Sequence, residues 1–237
     1  MRSVLVMIPF LTPAVAMAGD AAELDFLGFS EDGGYFAYAE SGVQDGSGFP
    51  YCSIRAVDSS TGEVVWSTDL VLEECQDRSQ DAERTAMREA KGHIFALGIR
   101  PGNRGFRAIH HPLSDIGVSP DSVVFSTMNA PEPWGGAYWI VLEAEVVSDS
   151  AMYADWGFEP ATASLVLGDS RDGARCPMAF EALPAGDERY TWGYRIQDVF
   201  VLDADVVVAL VETFSLGFEG ADVRFVSACG RISQLEK

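Results

Sequence analysis

Lysine is almost absent from this chain. Only Lys91 and Lys237 occur among 237 residues, and histidine is confined to His93, His110 and His111. A lysine-based active site has almost nothing to be built from, and a serine or cysteine nucleophile has few imidazoles to activate it. Basic charge is scarce altogether: 16 Lys+Arg stand against 36 Asp+Glu, a net charge of −20. Phosphate backbones and anionic lipid repel such a chain, so nucleic acid is set aside as a partner. Cationic ligands, divalent metals and basic protein surfaces stay open, while acidity by itself keeps an exported protein soluble. Long apolar runs are missing too. The stretch Val4 to Val15 is broken by Pro9 and Pro13 and falls short of the roughly 20 residues a membrane span needs. Close cysteine spacing is also missing. Cys52, Cys75, Cys176 and Cys229 form no CxxC, which removes zinc clusters and thioredoxin-like motifs.

What is present begins with an address. "MRSVLVMIPFLTPAVAMAGD" offers Arg2 as a positive n-region, an apolar h-region, and Ala16-Met17-Ala18 as a small-x-small site for cleavage before Gly19. No cysteine follows the cut, so a lipoprotein anchor is not expected. Residues 1–18 read as a signal peptide and 19–237 as one secreted or periplasmic, mostly-β domain without stable membrane insertion. Losing Arg2 moves the net charge from −20 to −21. In an exported chain the four cysteines read as structural disulfides. Of the three pairings, Cys52–Cys75 and Cys176–Cys229 are expected because each stays within one half. Each would stabilise by roughly 3–4 kcal/mol in the chain-entropy model.

From Glu23 onward short strands alternate with turn signals. "ELDFLGFS" leads through Asp32-Gly33 into "YFAYAESG", with Phe36, Tyr38 and Glu40 on one face and Tyr35, Ala37 and Ala39 on the other. "YCSIRAVD" and "VVWSTDLVL" complete a four-stranded meander over about residues 23–72. One short helix is expected near 79–91. Ser79 or Asp81 would cap it, Ala82, Ala86 and Ala90 with Met87 beside them would face a sheet, and Gly92 would sit at its C′ position. Strand patterns return across 93–237, from "HIFALGI" to "DVRFVSAC". The fold class is mainly β: an antiparallel two-layer sheet, sandwich or incomplete propeller-like, with that one helix.

Candidate chemistry is thin. "LVLGDSRDG" resembles the opening motif of the GDS-type serine esterases, which implies Ser170 as nucleophile. That family's histidine lies downstream, whereas all three histidines here precede Ser170, so a β-turn is expected instead. His110 and His111 are adjacent and on a strand would point to opposite faces. "QDGSGF" and "GDSRDG" each offer oxygens and glycine of the kind calcium needs, so a structural calcium is weighed against plain turn chemistry. Aromatics at Tyr35, Phe36, Tyr38, Phe49, Tyr51, Trp134, Tyr138, Trp139, Trp156, Trp192 and Tyr194 serve either a ligand groove or the core. With 36 acids some close pair is inevitable, so a glycosidase-like carboxylate pair cannot be read from sequence.

Two further resemblances follow. "LGFSEDGGYFAY" looks like the opening strands of a TolB-type β-propeller blade, which implies a blade-like meander. "ESGVQDGSGFPY", with "GYRIQDVFVL" and "SLGFEGADVRFVS", resembles a family of predicted secreted bacterial proteins of unknown function, which implies export and a β-rich fold but brings no catalytic residues. The reading is therefore an exported envelope binding or interaction module, with no cofactor and no catalytic residue assigned. Gln44, Asp45, Ser47 and Tyr51 in one loop, and Glu219 and Asp222 in another, are the candidate contacts to a protein or envelope ligand. The alternatives are an envelope hydrolase using paired carboxylates and a purely structural secreted protein.

Overall fold

The computed structural model describes residues 19–73, 79–112, 121–127, 137–147, 157–183, 191–218 and 220–235. Cys75, Trp134, Trp156, Glu219 and the leader 1–18 lie outside the described residues.

The opening meander is one antiparallel sheet in chain order, β1 (Glu23–Phe29), β2 (Tyr35–Val43), β3 (Pro50–Asp58) and β4 (Val64–Val71). Strand alternation sorts its faces as expected. Phe36 and Tyr38 enter one core cluster, while Ala37 and Ala39 enter another beneath the helix α1 (Ser79–Ala96). Ala82, Ala86 and Ala90 are fully buried against that outer face; their methyl groups let the helix axis approach the sheet closely. The helix thus covers the face where a propeller would set a neighbouring blade.

The helix is longer than its sequence signals suggest. Gly92 lies inside it, and "HIFAL", expected as a strand, begins as its last turn. The helix ends at Ala96 and the backbone turns away at Gly98, where φ is +74°. Gly98 N–H bonds to Phe95 O and Ile99 N–H to Ile94 O, both at 3.1 Å, the paired bonds of a Schellman cap. Ile94 and Ile99 pack together in the same cluster, so the cap also has its hydrophobic closure.

A second sheet orders β10 (Ala179–Phe180), β13 (Ala221–Arg231), β12 (Val206–Leu216), β11 (Thr191–Leu202) and β5 (Phe106–His110). A third orders β6 (Ser122–Ser126), β7 (Ala137–Val146), β8 (Ala161–Asp169) and β9 (Arg175–Pro177). Val206, Val208 and Leu210 face the first sheet, and Val207, Ala209 and Val211 the third. The second sheet is therefore buried on both faces, and β12 reads as an unbroken apolar run for that reason. Phe26 of β1 stacks on Phe200 of β11 at 4.1 Å, joining the two halves of the chain. The protein is mainly β with a single helix among the described residues, and its sheets stack three deep under α1.

The expected Cys176–Cys229 disulfide is not formed. Cys229 belongs to the cluster between the first and second sheets, whereas Cys176 packs against the cluster between the second and third. A sheet separates the two sulfurs, and Cys52 and Cys229 are free thiols. Cys52 faces α1, and its expected partner Cys75 lies outside the described residues.

Candidate functional site

β13 is flanked along its whole length by β12. On its other side β10 reaches only Ala228 and Cys229. Unpaired backbone groups on such an edge are costly when buried and invite association when exposed. Side chains and a short segment take the missing strand's place. Val223 N–H donates to Asp20 O at 2.8 Å, and Ala22 N–H donates to Val223 O at 3.1 Å. Phe225 N–H donates to the Glu40 carboxylate at 2.9 Å, and Tyr38 O–H, whose oxygen lies 3.3 Å from Phe225 O, donates to Glu181 at 2.8 Å. Glu181 receives Ser227 N–H at 3.0 Å and its Oγ–H at 2.7 Å, while its own N–H donates to Ser227 O at 2.8 Å.

Arg55 ties the two carboxylates together. Its Nη1 donates to Glu40 at 2.9 Å, and its Nε lies 3.5 Å from Glu181, the three side chains being 13%, 3% and 2% exposed. Burial pushes the Glu181 carboxyl above its ordinary value, although Arg55 and the bonds from Ser227 and Tyr38 pull the other way. Burial also works against the Arg55 charge, but Tyr38, Glu40 and Glu181 raise its pKa well beyond the usual range. The guanidinium stays charged.

A second, partly buried ion pair stands beside the first. Arg224 Nη2 meets Asp20 Oδ2 at 2.5 Å, Tyr51 O–H donates to Asp20 Oδ1 at 3.0 Å, and Asp20 N–H donates to Asp222 at 3.1 Å. The Arg224 guanidinium lies over the Tyr51 ring at 4.7 Å. Between these pairs opens a cleft of about 280 Å³, walled by Ser53, Arg55 and Asp69 on one side and Thr213, Ser215 and Arg224 on another. Among the described residues no protein group bonds to the Ser53, Thr213 or Ser215 hydroxyls. Ser215 also borders an apolar hollow of about 420 Å³ carrying Phe158, Trp192, Leu216 and Phe218. Phe218 is 79% exposed.

The two loops singled out by sequence meet here. A side chain at Gly46 would touch the Phe218 ring at 3.5 Å, and Tyr51 and Asp222 both bind Asp20. Within the first loop Ser47 Oγ–H donates to Gln44 at 3.0 Å, and Gly48 N–H donates to Gln44 O at 3.0 Å. Sequence reasoning missed Glu40, Arg55, Glu181, Asp20 and Arg224. The one legible signal was Glu40, a carboxylate sharing a strand face with Phe36 and Tyr38.

Other candidates resolve differently. Phe36, Tyr38, Tyr51, Tyr138 and Tyr194 are core residues, whereas Trp192 is 40% exposed. The Asp169 carboxylate of "GDSRDG" is occupied by the Arg171 guanidinium and N–H, and Ser170 N–H donates to Ala137 O at 2.9 Å. His110 Nδ1 lies 2.9 Å from buried Asp198, whose carboxyl burial raises despite the histidine. Among the described residues no group of three or more metal-ligating side chains occurs, and no helix is long and apolar enough to cross a membrane.

A family model described as predicted secreted protein, DUF2259, matches residues 37–231. The chain belongs to that family. Its description supports secretion, and the matched span takes in β2 from Ala37 onward, the cleft and all of β13. Comparison with curated proteins and with solved structures returns no match.

Proposed function

We propose that this DUF2259 protein is an envelope binding module, exported by a cleavable leader over residues 1–18, whose ligand is a small saccharide held in the cleft beside β13. The observation that carries this reading is the cleft's mixed wall. Arg55 and Arg224 present fixed donors, Asp69 an acceptor, and Ser53, Thr213 and Ser215 hydroxyls that do both. Carboxylates outnumber guanidiniums once Glu181 and Asp20 are counted behind the wall, which disfavours an anionic ligand. A neutral hydroxyl-rich molecule meets donors and acceptors alike, and Trp192 and Phe218 next to Ser215 offer apolar faces for a sugar ring. In this reading Gln44, Asp45 and Ser47 would form a rim beside Phe218, whose ring a Cβ at Gly46 would touch, with Tyr51 and Asp222 holding Asp20 behind it.

The test is a thermal melt of the chain starting at Gly19 against neutral mono- and disaccharides, amino sugars, cell-wall fragments, short peptides and calcium. A ligand at about 100 times its Kd stabilises by roughly 2.7 kcal/mol, a rise of several degrees at about 2–4 °C per kcal/mol. The shift should come from saccharides and shrink in Asp69→Asn. A panel in which only peptides or calcium shift the melt would refute the saccharide assignment.

The hydrolase reading has one point in its favour, the raised Glu181 beside an open cleft. Against it, both acids already hold backbone N–H groups and Arg55, so a proton taken up by either would disturb the β13 edge.

A further inference from the structure

We infer that residues 19–22 are a strand supplied in cis that completes β13, with Asp20 the positioning residue that sets Arg224 at the cleft; this rests on the cleft reading above. The segment that would follow leader cleavage is no loose tail. Ala21 bridges Val223 in parallel register, Ala22 is 1% exposed and Asp20 6% exposed. Every polar atom of Asp20 is engaged: its N–H by Asp222, its carbonyl by Val223 N–H and Arg224 Nη1, and its two carboxylate oxygens by Tyr51 and Arg224.

Position 19 is as closely specified. A Cβ there would lie 1.9 Å from Ala221 O and 2.9 Å from Ala221 N. Both are backbone atoms of β13, so the clash has no flexible end to yield, and only glycine lets the segment lie flat. Without residues 19–22, the Val223 N–H has no partner among the described residues on its outer side, the Val223 carbonyl keeps only Arg224 Nη1 at 2.9 Å, and Arg224 loses the Asp20 carboxylate. The β13 edge is then left open from Ala221 to the Glu40 bond at Phe225. An open edge is a template for foreign strands. The native segment closes it and fixes one cleft donor in the same act, so the completed cleft belongs to the chain that begins at Gly19.

The experiment compares the chain starting at Gly19, a chain starting at Glu23, and Asp20→Asn in the longer chain. It reads hydrogen exchange at the Val223 amide, melting temperature, and melting shift with the saccharide panel. Truncation should speed Val223 exchange at least tenfold and lower the melt by several degrees. The peptide Gly-Asp-Ala-Ala added in trans should restore part of both, and Gly-Asn-Ala-Ala should restore less of the melt. Should the truncated chain fail to fold, Asp20→Asn keeps the backbone pairing and still predicts a lowered melt and a reduced saccharide shift. Unchanged Val223 exchange and melt on truncation, or an Asp20→Asn protein identical to its parent in melt and saccharide shift, would overturn the inference. Slowed exchange restored by peptide, with no saccharide response in the Gly19 chain, would uphold the strand and sink the ligand assignment. An equal saccharide shift in long and truncated chains would uphold the ligand and overturn the role of Asp20 in positioning Arg224.

Discussion

The Glu40 carboxylate on β2 accepts the Phe225 N–H of β13 at 2.9 Å, the place a neighbouring strand's carbonyl would occupy in a wider sheet. The same carboxylate is the main ionic partner of Arg55. Removing it therefore orphans a backbone donor and a buried guanidinium together. Glu40→Ala is expected to cost roughly 3–5 kcal/mol, the range for breaking a buried pair, or about 6–20 °C in Tm at about 2–4 °C per kcal/mol. Glu40→Gln keeps an acceptor for Phe225 and should lose less. Calorimetry of the two variants checks this, and equal losses would mean that the ion pair, not the edge bond, carries the stability.

Two glycines, one inside α1 and one capping it, should respond in opposite directions to the same substitution. Gly92 is exposed within the helix, and a Cβ there meets nothing within 4 Å. Gly92→Ala should stabilise by about 0.5–1 kcal/mol through the usual helix preference. Gly98 caps the helix at φ +74°, where a Cβ is strained whatever the space around it. Gly98→Ala should destabilise by about 1 kcal/mol or more. Urea midpoints of both variants decide the matter, and two shifts of the same sign would contradict the helix boundary.

Those two glycines show where the sequence was legible and where it was not. Local alternation placed Phe36, Tyr38, Ala37 and Ala39 on their correct faces, and the alanine spacing of α1 named its buried stripe. Gly92 misled because a glycine after basic residues looks like a helix end, while the φ that marks the true end at Gly98 is not written in the residue types. The third sheet was readable in principle: "VVVALV" on β12 does not alternate, as a strand covered on both faces must not. The cleft was not. Glu40, Arg55, Glu181 and Arg224 come from four distant stretches, and only the pairing of the sheets brings them together.

The cysteines make a prediction against the ordinary expectation for an exported chain. Cys176 and Cys229 sit on opposite faces of the second sheet, so non-reducing peptide mapping should recover no Cys176–Cys229 link. Burial pushes the Cys52 thiol up to about 12 and that of Cys229 higher still, so neither offers thiolate near neutral pH. Iodoacetamide should leave both unmodified in the native protein and label both in urea. Rapid native labelling of Cys229 would show the first-to-second-sheet core to be open.

Acid and base should act on this protein through different carboxylates. Burial raises Glu181 above 4.5 and Asp198 and Asp20 above 3.8. A carboxyl that binds its proton more tightly when folded makes stability fall as pH rises from its ordinary value through its raised one. Asp32, Asp58 and Asp169 are lowered below 3.8 chiefly by hydrogen bonds from Ser30, Ser60 and Arg171, and their contribution is lost as pH falls through that range. The two sets together place maximum stability in mildly acid solution. Growing repulsion at a net charge of −20 pushes the same way on the alkaline side, so wild type alone cannot separate the causes. Glu181→Gln can, because an amide does not titrate and alters the net charge by only one. Urea midpoints from pH 4 to 7.5 should fall less steeply with pH in Glu181→Gln than in wild type. Parallel slopes would place the acid-stabilising proton elsewhere, and a steeper slope in the variant would mean that Arg55, not burial, governs Glu181.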